Sequence, residues 1–210
     1  MIRKQSWFPI AYMFCVTAFF SSIVIGLTRL TSERMEANAQ LAFERAVLSV
    51  LPGVEVDKMT RPEIRKAFTE LVNAPDASSN GAYMATQNGQ VTAYALPISG
   101  QGFWAPIKGV IGIETDKKTL TGIAFYEQNE TPGLGAEIAQ APFRDQFEGK
   151  VMASEDAPID IRRPGATLGV SEVHAVTGAT QTSDRLEIII NTALRPWRNP
   201  NSEKGDRGSG

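Results

Sequence analysis

The run His174 to Leu194, HAVTGATQTSDRLEIIINTAL, crowds Thr177, Thr180, Thr182 and Ser183 around Gly178, directly ahead of an apolar-periodic stretch. Glycine lets backbone come close to a ligand. A helix start offers N–H groups without intrahelical acceptors at the positive end of the helix dipole. Together they make an anion site that suits a phosphate. The hydroxyls either add donors to that phosphate, or one of them is esterified to it. Thr and Ser are also favoured helix caps and turn formers. One capping hydroxyl explains one of them, so the TGAT run by itself leaves both readings open.

A second constellation is FYEQNETPGLGAEI, Phe125 to Ile138. Thr131 and Pro132, followed by Gly133, Leu134 and Gly135, predict a rigid turn with exposed backbone, bracketed by Glu127, Glu130 and Glu137. Leu134 between two glycines suits a ledge for a flat ring better than a core position. The plainer reading is a strand running out into a loop with solvated carboxylates. Glu127 and Glu130 have a spacing open to acid and base work, but spacing alone does not make them converge. His174, the one histidine of the chain, is read as structural.

These motifs need elements to hold them. A final helix over about Ser183–Leu194 is predicted, with Leu186, Ile189, Ile190 and Ala193 inward and an end before Pro196. Asn88-Gly89, between AYMATQ and QVTAYAL, is a two-residue hairpin signal because both positions favour positive φ. GVIGIET and LTGIAFYE flank Asp116-Lys117-Lys118 as a second hairpin. The middle of the chain therefore reads as an antiparallel sheet, followed by a short strand at Pro158–Arg162. Thr60 and Glu63 form a capping box, with Pro62 in the first turn, ahead of a face of Ile64, Phe68, Leu71 and Val72. The class is α+β.

From Gln5 to Thr28 no residue carries a formal charge, a length that as a helix covers about 36 Å and crosses a hydrocarbon layer of about 30 Å. Trp7, Tyr12, Arg3 and Lys4 suit an interface anchor. The small-residue triplet Ala37–Ala39 stands too far downstream for signal cleavage. A single retained transmembrane helix is the expectation. The helical period then continues through Leu41, Val47, Leu48 and Leu51 to Pro52-Gly53, as a stalk. Lys and Arg number 21 against 23 Asp and Glu, for a net charge of −2, and no long basic block suits a nucleic acid. One cysteine, Cys15, and one histidine exclude an internal disulfide, a thiolate cluster and a multi-histidine zinc site.

YEQNETPGLGAEI, FRDQFEGK, GQGFWAPIKG and TGATQTS together resemble the flavin-binding subunits of two related membrane complexes. These are the C subunit of the sodium-pumping NADH:quinone oxidoreductase and the G subunit of the Rnf ferredoxin:NAD oxidoreductase. The resemblance takes in the whole chain with its anchor. It implies FMN held covalently, its phosphate esterified by a separate flavin transferase to the threonine ending the GAT triplet, here Thr180. Thr177, Gly178, Ala179, Thr182 and Ser183 would surround the phosphate. The ring would lie against Thr131, Gly133 and Leu134, within the loop Glu130, Pro132 and Gly135 complete. In one respect the sequence departs from the family's motif, which begins with Asp where this chain has His174 and commonly continues with Gly where it has Ala175.

The implied organisation is a membrane anchor over residues 1–30, a helical stalk over 31–55, an extracytoplasmic FMN-binding domain over 56–198 with an antiparallel sheet and flanking helices, and a disordered tail over 199–210. The implied function is a single-pass, inner-membrane electron carrier that passes electrons between neighbouring subunits, whose partners are those subunits, the flavin transferase and the membrane, not nucleic acid. Two rivals stand beside it: a non-redox assembly or interaction subunit, and reversible, noncovalent FMN binding.

Overall fold

The computed structural model describes residues 7–76, 79–153 and 156–198; the expected tail over 199–210 and the anchor residues Arg3 and Lys4 lie outside them. The first helix, α1 (Trp7–Ser49), is continuous, and the chain divides between Gln40 and Leu41 into two units. In the first, Trp7–Ser32 is 26 residues long and apolar enough to cross a membrane. Trp7, Phe8, Phe14, Phe19 and Phe20 are exposed along it. Ser22 and Thr28 donate to the carbonyls of Ala18 and Val24 at 2.7 and 2.9 Å. Those hydroxyls are satisfied within the helix, as an apolar surrounding demands.

The second unit starts with the last turns of α1 and the helix α2 (Arg61–Leu71). The Glu63 carboxylate accepts from both the N–H and the hydroxyl of Thr60 at 2.7 Å, so the capping box forms. A five-stranded antiparallel meander follows in the order β1 (Val72–Asn73), β2 (Tyr83–Gln87), β3 (Gln90–Gln101), β4 (Pro106–Glu114), β5 (Leu120–Glu127). Both expected hairpins are present. Asn88 and Gly89 close β2 onto β3 with φ of 54° and 76°, and Asp116 organises the β4–β5 turn by accepting from the N–H groups of Lys118 and Thr119. Pro97 is tolerated inside β3 because β2 ends opposite Ala95, which leaves that stretch without a partner on one side.

The two faces of the sheet carry different side chains. Ala85, Ala93, Ala95, Val110 and Ala124 meet Val47 and Leu48 of α1, Val50 just after it, and Ile64 of α2. On the opposite face Leu96, Ile98, Ile107, Ile111 and Ile113 meet Leu186, Ile189, Ile190 and Leu194. These belong to α4 (Thr180–Arg198). That helix is longer than its expected span at both ends. Pro196 sits in its last turns, where few backbone hydrogen bonds are left to break, and Leu194 and Trp197 stay buried there.

Between β5 and α4 run a one-turn helix, α3 (Ala141–Arg144), and two short strands, β6 (Asp160–Arg162) and β7 (Glu172–His174). The strands pair in parallel, Ile161 opposite Val173, which the sequence reading did not anticipate. They are tied to α4 by buried Asn191, whose amide accepts from the N–H of Ile159 at 3.0 Å and donates to its carbonyl at 2.7 Å. Asn191 thus stands in for a neighbouring strand and fixes α4 along its length.

Candidate functional site

The start of α4 faces a cleft of about 210 Å³, lined by Thr131, Leu134 and Gly135 from the loop after β5, by Gly178 to Thr182, and by Phe103 and Trp104. The two constellations separated in the sequence are therefore adjacent in space. Gly178 has φ of 77°, a conformation open to glycine, and a Cβ there would stand 3.1 Å from Leu134 Cδ2. Leu134 is 43 % exposed, an apolar ledge at the mouth. Pro132 and Gly133 are exposed beside it.

The four hydroxyls of the opening run separate into two kinds. Thr182 is buried and donates to Glu130 Oε2 at 2.8 Å. Ser183 is buried too, and its Oγ accepts from the N–H of Val176 at 3.3 Å. Both are spent on holding the helix start. Thr177 and Thr180 are exposed, and Thr180 lines the cleft. The helix begins at Thr180, so the N–H groups of Thr180, Gln181 and Thr182 have no intrahelical acceptor. Ala179 is buried beneath them, and its carbonyl accepts from Ser183 N–H at 3.0 Å.

Glu130 is the centre of the frame. It is 5 % exposed. Its Oε1 accepts from Trp104 N–H at 3.0 Å and its Oε2 from Thr182, while Gln128 holds its own N–H at 2.8 Å. Gly135 packs against this junction so closely that a Cβ would stand 2.5 Å from Thr182 Oγ1 and 3.0 Å from Glu130 Cβ. Glu127 goes elsewhere, accepting from Lys108 Nζ at 2.8 Å, and that bond and charge hold the lysine above its ordinary pKa. The two carboxylates therefore serve different partners and form no acid and base pair.

His174 ends β7. Its N–H donates to Gln146 Oε1 at 2.7 Å and its ring Nε2 lies 2.9 Å from the Ala166 carbonyl. It is a strut between loops and does not line the cleft.

Phe103, Trp104 and Gln181 were missed in reading the sequence for a site. Phe103 and Trp104 are 47 % and 66 % exposed at the tip of the β3–β4 hairpin, closed by Gly102 N–H on the Ala105 carbonyl at 2.9 Å. Their rings stand edge to face, 4.9 Å between centroids. Adjacent large aromatics between a glycine and a proline were the available signal, since a tight loop cannot bury both.

A family model described as FMN-binding domain matches residues 102–195, from this aromatic loop through most of α4. That is narrower than the whole-chain resemblance read from the motifs. The C subunit of the Na(+)-translocating NADH-quinone reductase of Vibrio alginolyticus is 36% identical over 114 residues, 53% of this chain and 44% of that protein. Its Chlamydia pneumoniae counterpart is 44% identical over 78 residues, 37% of this chain and 24% of that one. The matched segment spans less than half the length of these curated relatives. The crystal structure of the Parabacteroides distasonis counterpart superposes with a TM-score of 0.64 at 23% identity, over 81% of this chain and 94% of that one, a likeness of fold. Residues 102–195 thus match the FMN-binding domain model, and the chain is similar in sequence to the C subunits of the sodium-translocating NADH-quinone reductases.

Proposed function

We propose that the chain is a membrane-anchored electron-transfer subunit that carries FMN through a phosphoester on Thr180 and relays electrons within an ion-translocating complex of the sodium-pump or Rnf type. The observation that supports this best is the division of the hydroxyls. Thr182 and Ser183 are engaged in the fold, and Thr180 is the exposed hydroxyl lining the cleft at the start of α4.

The residues present fit the group. The N–H groups of Thr180, Gln181 and Thr182 suit a phosphate, and Gly178 lets it approach. Leu134, Phe103 and Trp104 offer apolar area to a flat ring. Among the described residues none that lines the cleft is charged. A free phosphate monoester carries nearly two negative charges at neutral pH, whereas a phosphate esterified at both ends carries one, which a helix terminus without a basic side chain beside it accommodates more readily. When bound, FMN supplies the redox chemistry. The chain supplies attachment at Thr180, the ledge at Thr131, Gly133 and Leu134, and the frame of Glu130 and Gly135.

On this reading residues 1–30 anchor the chain in the inner membrane, 31–55 continue as a stalk, and the flavin domain from residue 56 lies on the extracytoplasmic side. The other subunits are its electron donor and acceptor, and a flavin transferase attaches the cofactor. The test is ultraviolet fluorescence of the chain after denaturing electrophoresis, with expression in its native membrane. A fluorescent band that disappears in Thr180→Val and persists in Thr177→Val supports the ester. Flavin that co-purifies but leaves on denaturation replaces it with reversible binding, and a flavin-free chain in the intact complex leaves an assembly role.

A further inference from the structure

Three places have chemistry that the proposed function leaves unused. A cleft of about 460 Å³ beside Arg144 mixes acids and bases without a common ligand chemistry. Lys117 lies over the rings of Tyr94 and Trp197 at 5.4 and 5.7 Å, which closes a turn. Glu130 is the third, because a carboxylate is costly to bury and this one is buried beside the cleft.

We infer that Glu130 is a positioning residue whose fixed charge also sets how readily a flavin in the cleft is reduced. Among the described residues no ion pair neutralises it: the contacts to its oxygens are the Trp104 N–H and the Thr182 hydroxyl. Backbone crowds it on two further sides. A Cβ on Gly102 would stand 2.5 Å from Oε1, and one on Gly135 would stand 3.0 Å from Oε2. The carboxylate is therefore desolvated and held in one orientation, with its two bonds reaching the hairpin tip that bears Trp104 and the first turn of α4 that bears Thr180.

Two effects follow. The brace spans 26 residues in one direction and 52 in the other, so it sets the width of the cleft between the aromatic loop and the esterification site. The charge acts on the electron count. Each electron that arrives on the ring from a neighbouring subunit adds one negative charge unless a proton accompanies it. A fixed carboxylate in a poorly solvated surrounding opposes that gain. Electron uptake is thereby made less favourable than in a neutral cleft, and onward transfer more favourable.

This inference rests on the flavin reading above, and the experiment separates the two. Glu130→Gln keeps the shape, keeps an acceptor for Trp104 N–H, and removes the charge. In the full chain with its flavin, titrated with dithionite, the midpoint potential is expected to move positive, by about tenfold in the one-electron equilibrium or about 59 mV. Thr182→Val takes one hydrogen bond from the carboxylate and leaves its charge, so the potential moves negative or stays. It remains informative if Glu130→Gln fails to accumulate. An unmoved potential in Glu130→Gln, or a positive move in Thr182→Val, overturns the assignment of charge. Wild-type chain without flavin overturns the reading on which it rests.

Discussion

Two clefts on the second unit set volume against chemistry. The larger, about 460 Å³, is rimmed by Glu55, Asp57, Lys58, Arg144, Asp145 and Glu148. The smaller, about 210 Å³, has no charged lining residue among the described residues. Size alone favours the first. Three of those six charges are paired at the surface, Lys58 with Glu55 and Asp57 with Arg45, which is how a solvated surface looks. The second collects what an organic phosphate with a flat ring needs: a helix start, an exposed hydroxyl, a permissive glycine and apolar ledges. Volume records where chain segments fail to meet. Function is read from which groups converge on the space.

The sharpest way to break this contrast is to fill the frame of the small cleft. Gly135→Ala places a Cβ 2.5 Å from Thr182 Oγ1; overpacking of this kind costs about 1–3 kcal/mol. Urea denaturation is expected to show that loss together with reduced flavin content. Stability unchanged within error would mean that the junction yields to the extra methyl.

A smaller effect is expected at the aromatic wall. Trp104 is 66 % exposed, so Trp104→Ala changes stability by no more than about 0.5 kcal/mol. Flavin fluorescence of the native chain should brighten relative to the same chain denatured, because a nearby indole quenches it. An unchanged ratio places the ring elsewhere.

Charges remote from the small cleft should affect folding and leave flavin content alone. The Glu172 carboxyl is held below the ordinary range, first by the Gly169 N–H and then by the Arg162 guanidinium. A carboxyl whose folded pKa lies below its unfolded value adds stability above the unfolded value, about 4.3 for Glu, and that stability is lost as pH falls through the folded value. Glu172→Gln is expected to flatten the acid limb of a stability series below that range, with flavin content constant. The smallest effect belongs to the larger cleft. Exposed Glu148→Gln should leave flavin content and reduction potential unchanged and shift stability within about 0.5 kcal/mol. A loss of flavin there would reverse the assignment of the two clefts.

How much was legible varied with the range of the interaction responsible. Asn88-Gly89 and the Thr60–Glu63 box were readable because residues one to three apart make them. The parallel pairing of Asp160–Arg162 with Glu172–His174 was not, since three-residue strands carry no usable period. The end of α4 was set by burial of Leu194 and Trp197, which overrode the local signal of Pro196. In the candidate site, the hydroxyl cluster and the PGLG ledge showed in the sequence, but their adjacency did not follow from spacing.

The sequence by itself determined the apolar first helix, the two hairpins, the amphipathic last helix, the exclusion of disulfide and multi-histidine metal chemistry, and the residue types able to hold a phosphate. Each depends on composition or on neighbours within one turn of chain. The tertiary structure alone decided which hydroxyl stays open. Thr182 and Thr180 are the same side chain two positions apart, and what distinguishes them is that α4, held against the sheet by Ile189 and Ile190, turns Thr182 onto Glu130 and leaves Thr180 facing the cleft. The helix repeat of about 100° per residue points neighbouring side chains in different directions, and only the packed sheet defines which direction is inward.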